Sequence, residues 1–271
     1  MLHRSVIAGS WYPGERNSLK FSIEAYLNEA RIEAPASRPL ALISPHAGHM
    51  YSGAVAAHAY KAVQGLSYET VVIVSPSHRM RFDFVAVWSA GAFETPLGLV
   101  EVDEQACRRL MQLSDIVINE PRPHVQEHAL EIQLPFLQVA LPAFRLVPLI
   151  MGDQTPELCF SLAEALKDAF PEPDKVLVVA SSDLSHFHSV QAAADLDNRL
   201  ANHLAAFDTA SLASELASGA VEACGGGPIL TAMRYAALRD CPRLTVVKQA
   251  DSSAVSGDTA SVVGYLAAVI A

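Results

Sequence analysis

The chain has 271 residues, 51% hydrophobic and 18% charged, with a net charge of −10. That balance describes a globular fold with a large core and excludes a disordered chain. The negative charge and the lack of a Lys/Arg cluster exclude nucleic acid as a partner, and no apolar run is long enough to span a membrane.

Val6-Ile7 and the turn Ala8-Gly9-Ser10-Trp11-Tyr12-Pro13-Gly14 open the chain, without the long apolar segment of a signal peptide. This turn reads either as a packing cap or as the wall of a pocket. Residues 17–30 read as a helix, capped by Asn17 or Ser18, with Leu19, Ile23 and Leu27 on one face. The run Leu40-Ala41-Leu42-Ile43 reads as a buried strand, stopped by Ser44-Pro45, and His46 follows the stop. Gly48 and Gly53 are expected to turn the backbone before a helix starting near Ser52.

The same device recurs twice. Thr70–Val74 runs into Ser75-Pro76-Ser77-His78, and Val176–Ala180 runs into Ser181-Ser182-Asp183-Leu184-Ser185-His186. If these strands neighbour one another in a parallel sheet, their histidines converge at the carboxyl edge, where ligands bind in open α/β sheets.

Between the second and third runs, residues 84–88 read as a strand, 90–98 as a loop or hairpin, 103–113 as a helix, and 116–118 stay ambiguous. Residues 127–140 carry leucines at helical spacing, with a break expected at Pro135. On that helix His128 and Glu131, and Glu127 and Glu131, share faces, which is either a solvated stripe or a set of acid/base groups. A strand over 145–150 and a helix over 156–170 follow. Beyond His186 come helices over 191–206, 209–217 and 229–239, then closing strands over 244–247 and 262–269. Strands alternate with helices throughout, so one α/β domain over residues 1–271 is expected, with a mainly parallel or mixed central sheet flanked by helices on both faces.

Four cysteines are scattered without a C-x-x-C pair, which suits a reduced, cytoplasmic protein. Cys224 stands before Gly225-Gly226-Gly227-Pro228 at a helix start, where the dipole lowers a thiol pKa; a small buried residue is the equal alternative. His46, His78 and Cys224 together suit a transition metal with open positions, and His186 with Asp183 suits acid/base work. A Cys224-His186-Asp183 nucleophilic set ranks lower. His58 inside a helix reads as a packed residue, and His49 and His188 as spares.

The motifs Ala8–Tyr12, Ser44–Gly48, Ser75–His78, Glu127–Phe136, Ser181–His186 and Cys224–Ile229 resemble, in order, those of the Memo family, whose bacterial and archaeal members are called AmmeMemoRadiSam system protein B. The resemblance implies a fold similar to the class III, LigB-type extradiol dioxygenases. It implies a metal on His46, His78 and Cys224, with His186, Asp183 and His128 as the catalytic group. Fe(II) is the expected cofactor, with copper or zinc as alternatives, because a thiolate replaces the carboxylate of the dioxygenases. The implied function is a non-haem metal-dependent oxidoreductase. The alternatives are a metal- or peptide-binding adaptor and a metal- or cysteine-dependent hydrolase. Implied partners are the radical SAM and AMMECR-type proteins of the same system, besides an unidentified small-molecule substrate.

Overall fold

In the computed structural model, which describes residues 1–271, the first ordered pairing is β1 (Leu2–His3). Helix α1 (Arg16–Glu29) is capped by the Glu15 carboxylate, which accepts from the Ser18 N–H at 2.8 Å, so the cap sits two or three residues earlier than the sequence suggests. Strand β2 (Ala41–Ser44) is wholly buried, and α2 (His49–Lys61) follows almost at once. Gly53 therefore lies inside α2 and not in a turn before it. A Cβ there would meet the Tyr26 ring at 2.8 Å, so the missing side chain lets α1 and α2 approach.

Next come β3 (Thr70–Pro76), β4 (Val85–Val87), the hairpin β5 (Ala92–Thr95) and β6 (Gly98–Glu101), α3 (Glu104–Leu113) capped by Asp103, and β7 (Val117–Asn119). The leucine-rich stretch is two helices, α4 (His128–Glu131) and α5 (Leu134–Ala140). The chain breaks at Ile132-Gln133, just ahead of Pro135, which occupies the first turn of α5, where its missing N–H costs nothing. The remaining elements are β8 (Arg145–Met151), α6 (Pro156–Ala169), β9 (Val176–Ser181), β10 (His186–His188), α7 (Val190–Ala205), α8 (Thr209–Ser218), α9 (Gly226–Ala237), β11 (Leu244–Asp251), α10 (Ser253–Ser256) and β12 (Val262–Ile270).

The main sheet runs β10-β12-β2-β9-β3-β8-β4-β7, with β11 also paired to β12. Its middle, β2-β9-β3-β8, is parallel. β12 closes antiparallel on β2, and β4 antiparallel on β8, so the sheet is mixed. β1, β5 and β6 form a small second sheet. β2, β3 and β9 are buried along their whole length because both faces are covered. Helices flank the sheet, with α9 against β9, β2 and β3 and α2 against β12 and β2. One cluster of 76 buried residues runs from Ile7 to Ala271, leaving no seam that would divide the chain.

The topology places β9 between β2 and β3, all three parallel. The three runs that end in serine turns are thus immediate neighbours, and their carboxyl ends share one edge.

Candidate metal centre

His46 leaves β2 and is 2% exposed. Its backbone N–H donates to Asp183 Oδ1 at 2.7 Å, which ties the β2 turn to the β9 turn. Its tautomer follows from its neighbours. The Ser181 hydroxyl donates to the Ala129 carbonyl at 2.6 Å, and its oxygen also accepts from Gln133 Nε2 at 2.8 Å. With its one proton committed, Ser181 Oγ must accept from His46 Nδ1–H at 3.0 Å. The lone pair of His46 is therefore on Nε2. Gln133 is itself oriented by the Tyr60 hydroxyl, which donates to its Oε1 at 2.6 Å.

His78 leaves β3 and is held by Glu127, which accepts the His78 backbone N–H at 2.7 Å and faces Nδ1 at 2.8 Å. Burial pushes the Glu127 carboxyl up, but the hydrogen bonds and charge at His78 and the Ala129 N–H outweigh it and hold the group at about 2. An ionised Glu127 fixes Nδ1–H on His78 and leaves Nε2 as the basic nitrogen, the usual arrangement behind a metal-ligating histidine.

His128, at the start of α4, completes a triangle. One ring nitrogen each from His46, His78 and His128 lie within 4.8 Å of one another. The His78 and His128 rings stack at 4.6 Å, while His46 stands edge-on to both, at 5.1 and 5.5 Å. Trp11 packs on the outer side of His128 at 4.3 Å, so the N-terminal turn walls the site. Burial first, then the neighbouring imidazoles, holds His46 and His128 down at about 3, so both rings are neutral and able to bind a metal at physiological pH. His128 Nδ1 is buried without a hydrogen-bond partner.

Cys224 was expected as the third ligand. It stands outside the three-imidazole group, but its Sγ lies 3.0 Å from His46 Nε2. The Asp183 N–H donates to the same sulfur at 3.3 Å. The thiol pKa is not lowered by the helix start: burial, then the Asp183 charge, pushes it up. With Nε2 of His46 basic, the S–H donates to it, so a metal taken by both atoms would displace that proton.

Asp183 and His186 line the same cavity but are not hydrogen-bonded to each other. The Asp183 carboxylate holds the His46 and Ala47 N–H groups, and burial pushes it up to about 6 against those bonds. His186 Nδ1 faces the Leu184 carbonyl at 2.8 Å. The Cys-His-Asp nucleophilic set is not hydrogen-bonded together, since Cys224 bonds to His46 and Asp183 to the His46 and Ala47 N–H groups. His186 still faces the cavity, of about 560 Å³, shared by Trp11, His46, His78, His128 and Asp183.

The spare histidines have structural places. His49 is 3% exposed between Tyr12 and Phe136 and is held at about 4 by burial. His188 pairs with Glu222 at 3.0 Å, and His58 with the Ala54 carbonyl one turn back. Glu131 is buried and binds the N-terminal arm, accepting from Tyr12 Oη at 2.6 Å and the Val6 N–H at 2.8 Å. Sequence reasoning missed Glu127, Ser181 and Gln133 as orienting residues. The spacing of Glu127 and Glu131 was a signal, yet their partners come from distant strands and turns.

A model of the Memo-like protein family matches residues 3–269. The chain belongs to the Memo family. A "MEMO1 family protein" of Sulfurisphaera tokodaii is 36% identical, with 98% of each chain covered. One of Thermotoga maritima is 34% identical over the whole of both chains, and one of Methanobrevibacter smithii is 33% identical over 99% of each. The Memo match spans both walls of the imidazole site, from the Trp11 turn to the Cys224 turn.

Proposed function

We propose that this Memo-family protein is a non-haem metal-dependent oxidoreductase, with Fe(II) as the working ion and copper or zinc as alternatives. The observation that carries the reading is the triangle of His46, His78 and His128 nitrogens within 4.8 Å, with the Cys224 sulfur beside His46. Two of the three imidazoles have an orienting group behind them, a serine that sets the His46 tautomer and a carboxylate on His78, and the same carboxylate lies 3.3 Å from His128 Nδ1. His46 and His78 would hold the ion together with a third donor, His128 or Cys224. A bound ion of this kind supplies redox chemistry and open positions for a substrate. His186 lines the same cavity and would move a proton there. Partnership with radical SAM and AMMECR-type proteins of the same system, in the cytoplasm, belongs to the proposal. No helix is long and apolar enough to cross a membrane.

A three-imidazole donor set also suits a zinc hydrolase, because such a site activates water without a thiolate. That second reading is favoured by the position of Cys224 outside the group of three imidazoles. Elemental analysis after anaerobic purification separates the cases. The oxidoreductase reading expects near-stoichiometric iron or copper, lost in His46→Ala/His78→Ala, and oxygen uptake with an organic substrate. Stoichiometric zinc with ester hydrolysis and no oxygen uptake would replace it. Comparing His128→Ala with Cys224→Ser identifies the third ligand, whose loss should weaken the metal about 10- to 100-fold or more.

A further inference from the structure

Strand β10 carries an extra residue. His186 and His188 pair with Val263 and Val262, so three residues of β10 face two of β12, and Phe187 is the unpaired one. Its φ is +62°, in the left-handed region. Two other non-glycine residues share that sign, and both, Phe207 and Asp240, follow helix ends, where a left-handed residue is common. Phe187 stands in a strand, at a bulge position that suits glycine, and a side chain there strains the backbone. Core packing does not offset the strain, because Phe187 is 76% exposed. Its ring instead meets the His186 ring edge-on, at 5.6 Å and 68°. His186 lines the cavity, and its Nδ1 must donate to the Leu184 carbonyl at 2.8 Å, since that oxygen only accepts. A neutral His186 therefore keeps its lone pair on Nε2, the ring nitrogen that Leu184 leaves free.

We propose that Phe187 is a positioning residue: the left-handed bulge stands its ring beside His186 and fixes that imidazole as the Nδ1–H tautomer, with Nε2 left to take a proton in the cavity. The inference deepens the reading of His186 as the group that moves a proton beside the metal, and rests on it. The test uses the full chain after chelation, with isotope-labelled histidine, at about pH 9, where an ordinary imidazole is neutral. Long-range proton–nitrogen spectra report the tautomer, and His186→Gln assigns the signals. In the unsubstituted protein His186 should be a single Nδ1–H tautomer. Phe187→Gly removes both the strain and the ring. Its melting temperature should rise by about 1–3 °C, while a second, Nε2–H signal appears for His186. Phe187→Leu keeps a side chain beside the imidazole and keeps the strain, so it should hold the Nδ1–H tautomer without the gain in melting temperature. A Phe187→Gly protein that melts lower or does not fold has no strain to relieve, and one that keeps the single Nδ1–H tautomer shows that the ring positions nothing. Either result overturns the proposal, as does a mixed tautomer in the unsubstituted protein. Metal content is read before chelation: a fixed His186 in a protein that takes no metal sustains this inference while the metal reading falls, and a mixed tautomer in a protein with stoichiometric metal does the reverse.

Discussion

His46 and His78 are each defined by what stands behind them. Glu127 is the clearest case, a buried carboxylate with both oxygens on His78. Glu127→Gln keeps the shape but removes the charge that makes Nδ1 a donor. Metal affinity is expected to fall about 10- to 100-fold with the fold intact, as read by competitive metal titration. If affinity is unchanged, Glu127 only braces the loop. Ser181 and Gln133 act in the same way on His46, through a chain of donors whose direction is set at Tyr60 and at the Ala129 carbonyl. None of these roles is legible in the residue types alone. A serine at a strand end and a glutamine in a leucine-rich stretch are common, and only the partners brought by other elements distinguish them.

At the scale of elements, the site depends on how closely the α9 start approaches the end of β9. Gly225 stands at that contact: a Cβ on it would lie 2.2 Å from the Ser181 carbonyl and 2.7 Å from Ser182 Cβ. Its φ of −106° is open to any residue, so space and not backbone strain requires glycine. Gly225→Ala should force β9 and α9 apart and draw the Cys224 sulfur away from His46. A loss of about 1–3 kcal/mol in stability is expected from chemical denaturation, as for other overpacked positions. Full stability in that variant would show that the contact relaxes freely. Strand positions were well read from the apolar runs, because a run of valine and isoleucine bounded by Ser-Pro is a local signal. Helix starts were read less well. Glu15 caps α1 where Asn17 or Ser18 was expected, and α2 starts from Gly48 and not near Ser52, since a cap is decided by which residue turns and not by composition alone.

Across the whole molecule, burial or partial burial keeps four histidines neutral. Burial is the largest cause for each and holds His46, His124 and His128 at about 3 and His49 at about 4. The unfolded chain binds protons at these positions from about pH 6.5 downward, and the folded chain does not. The folded pKa is the lower one, so their stabilising effect is complete above pH 6.5 and is lost as pH falls toward 3. Glu127 acts in the same direction below about pH 4.5. Each histidine should contribute a slope of about 1.4 kcal/mol per pH unit in that window. Thermal melts of the metal-free protein are therefore expected to drop steeply between pH 6.5 and 4. A flat profile there would mean that the histidines protonate in the folded state.

Taken by itself, the sequence determined the α/β class, the parallel middle of the sheet and the delivery of His46, His78 and the Asp183 turn to one edge. Those features follow from short-range regularities: apolar runs of strand length, proline stops and serine turns. The tertiary structure alone decided which donors meet. It brought His128 into the imidazole triangle, left Cys224 beside His46 with its proton, and set Glu127 behind His78. The reason is that a ligand set, a tautomer and a pKa are properties of atoms a few ångströms apart in space, supplied here by residues up to 178 positions apart in the chain.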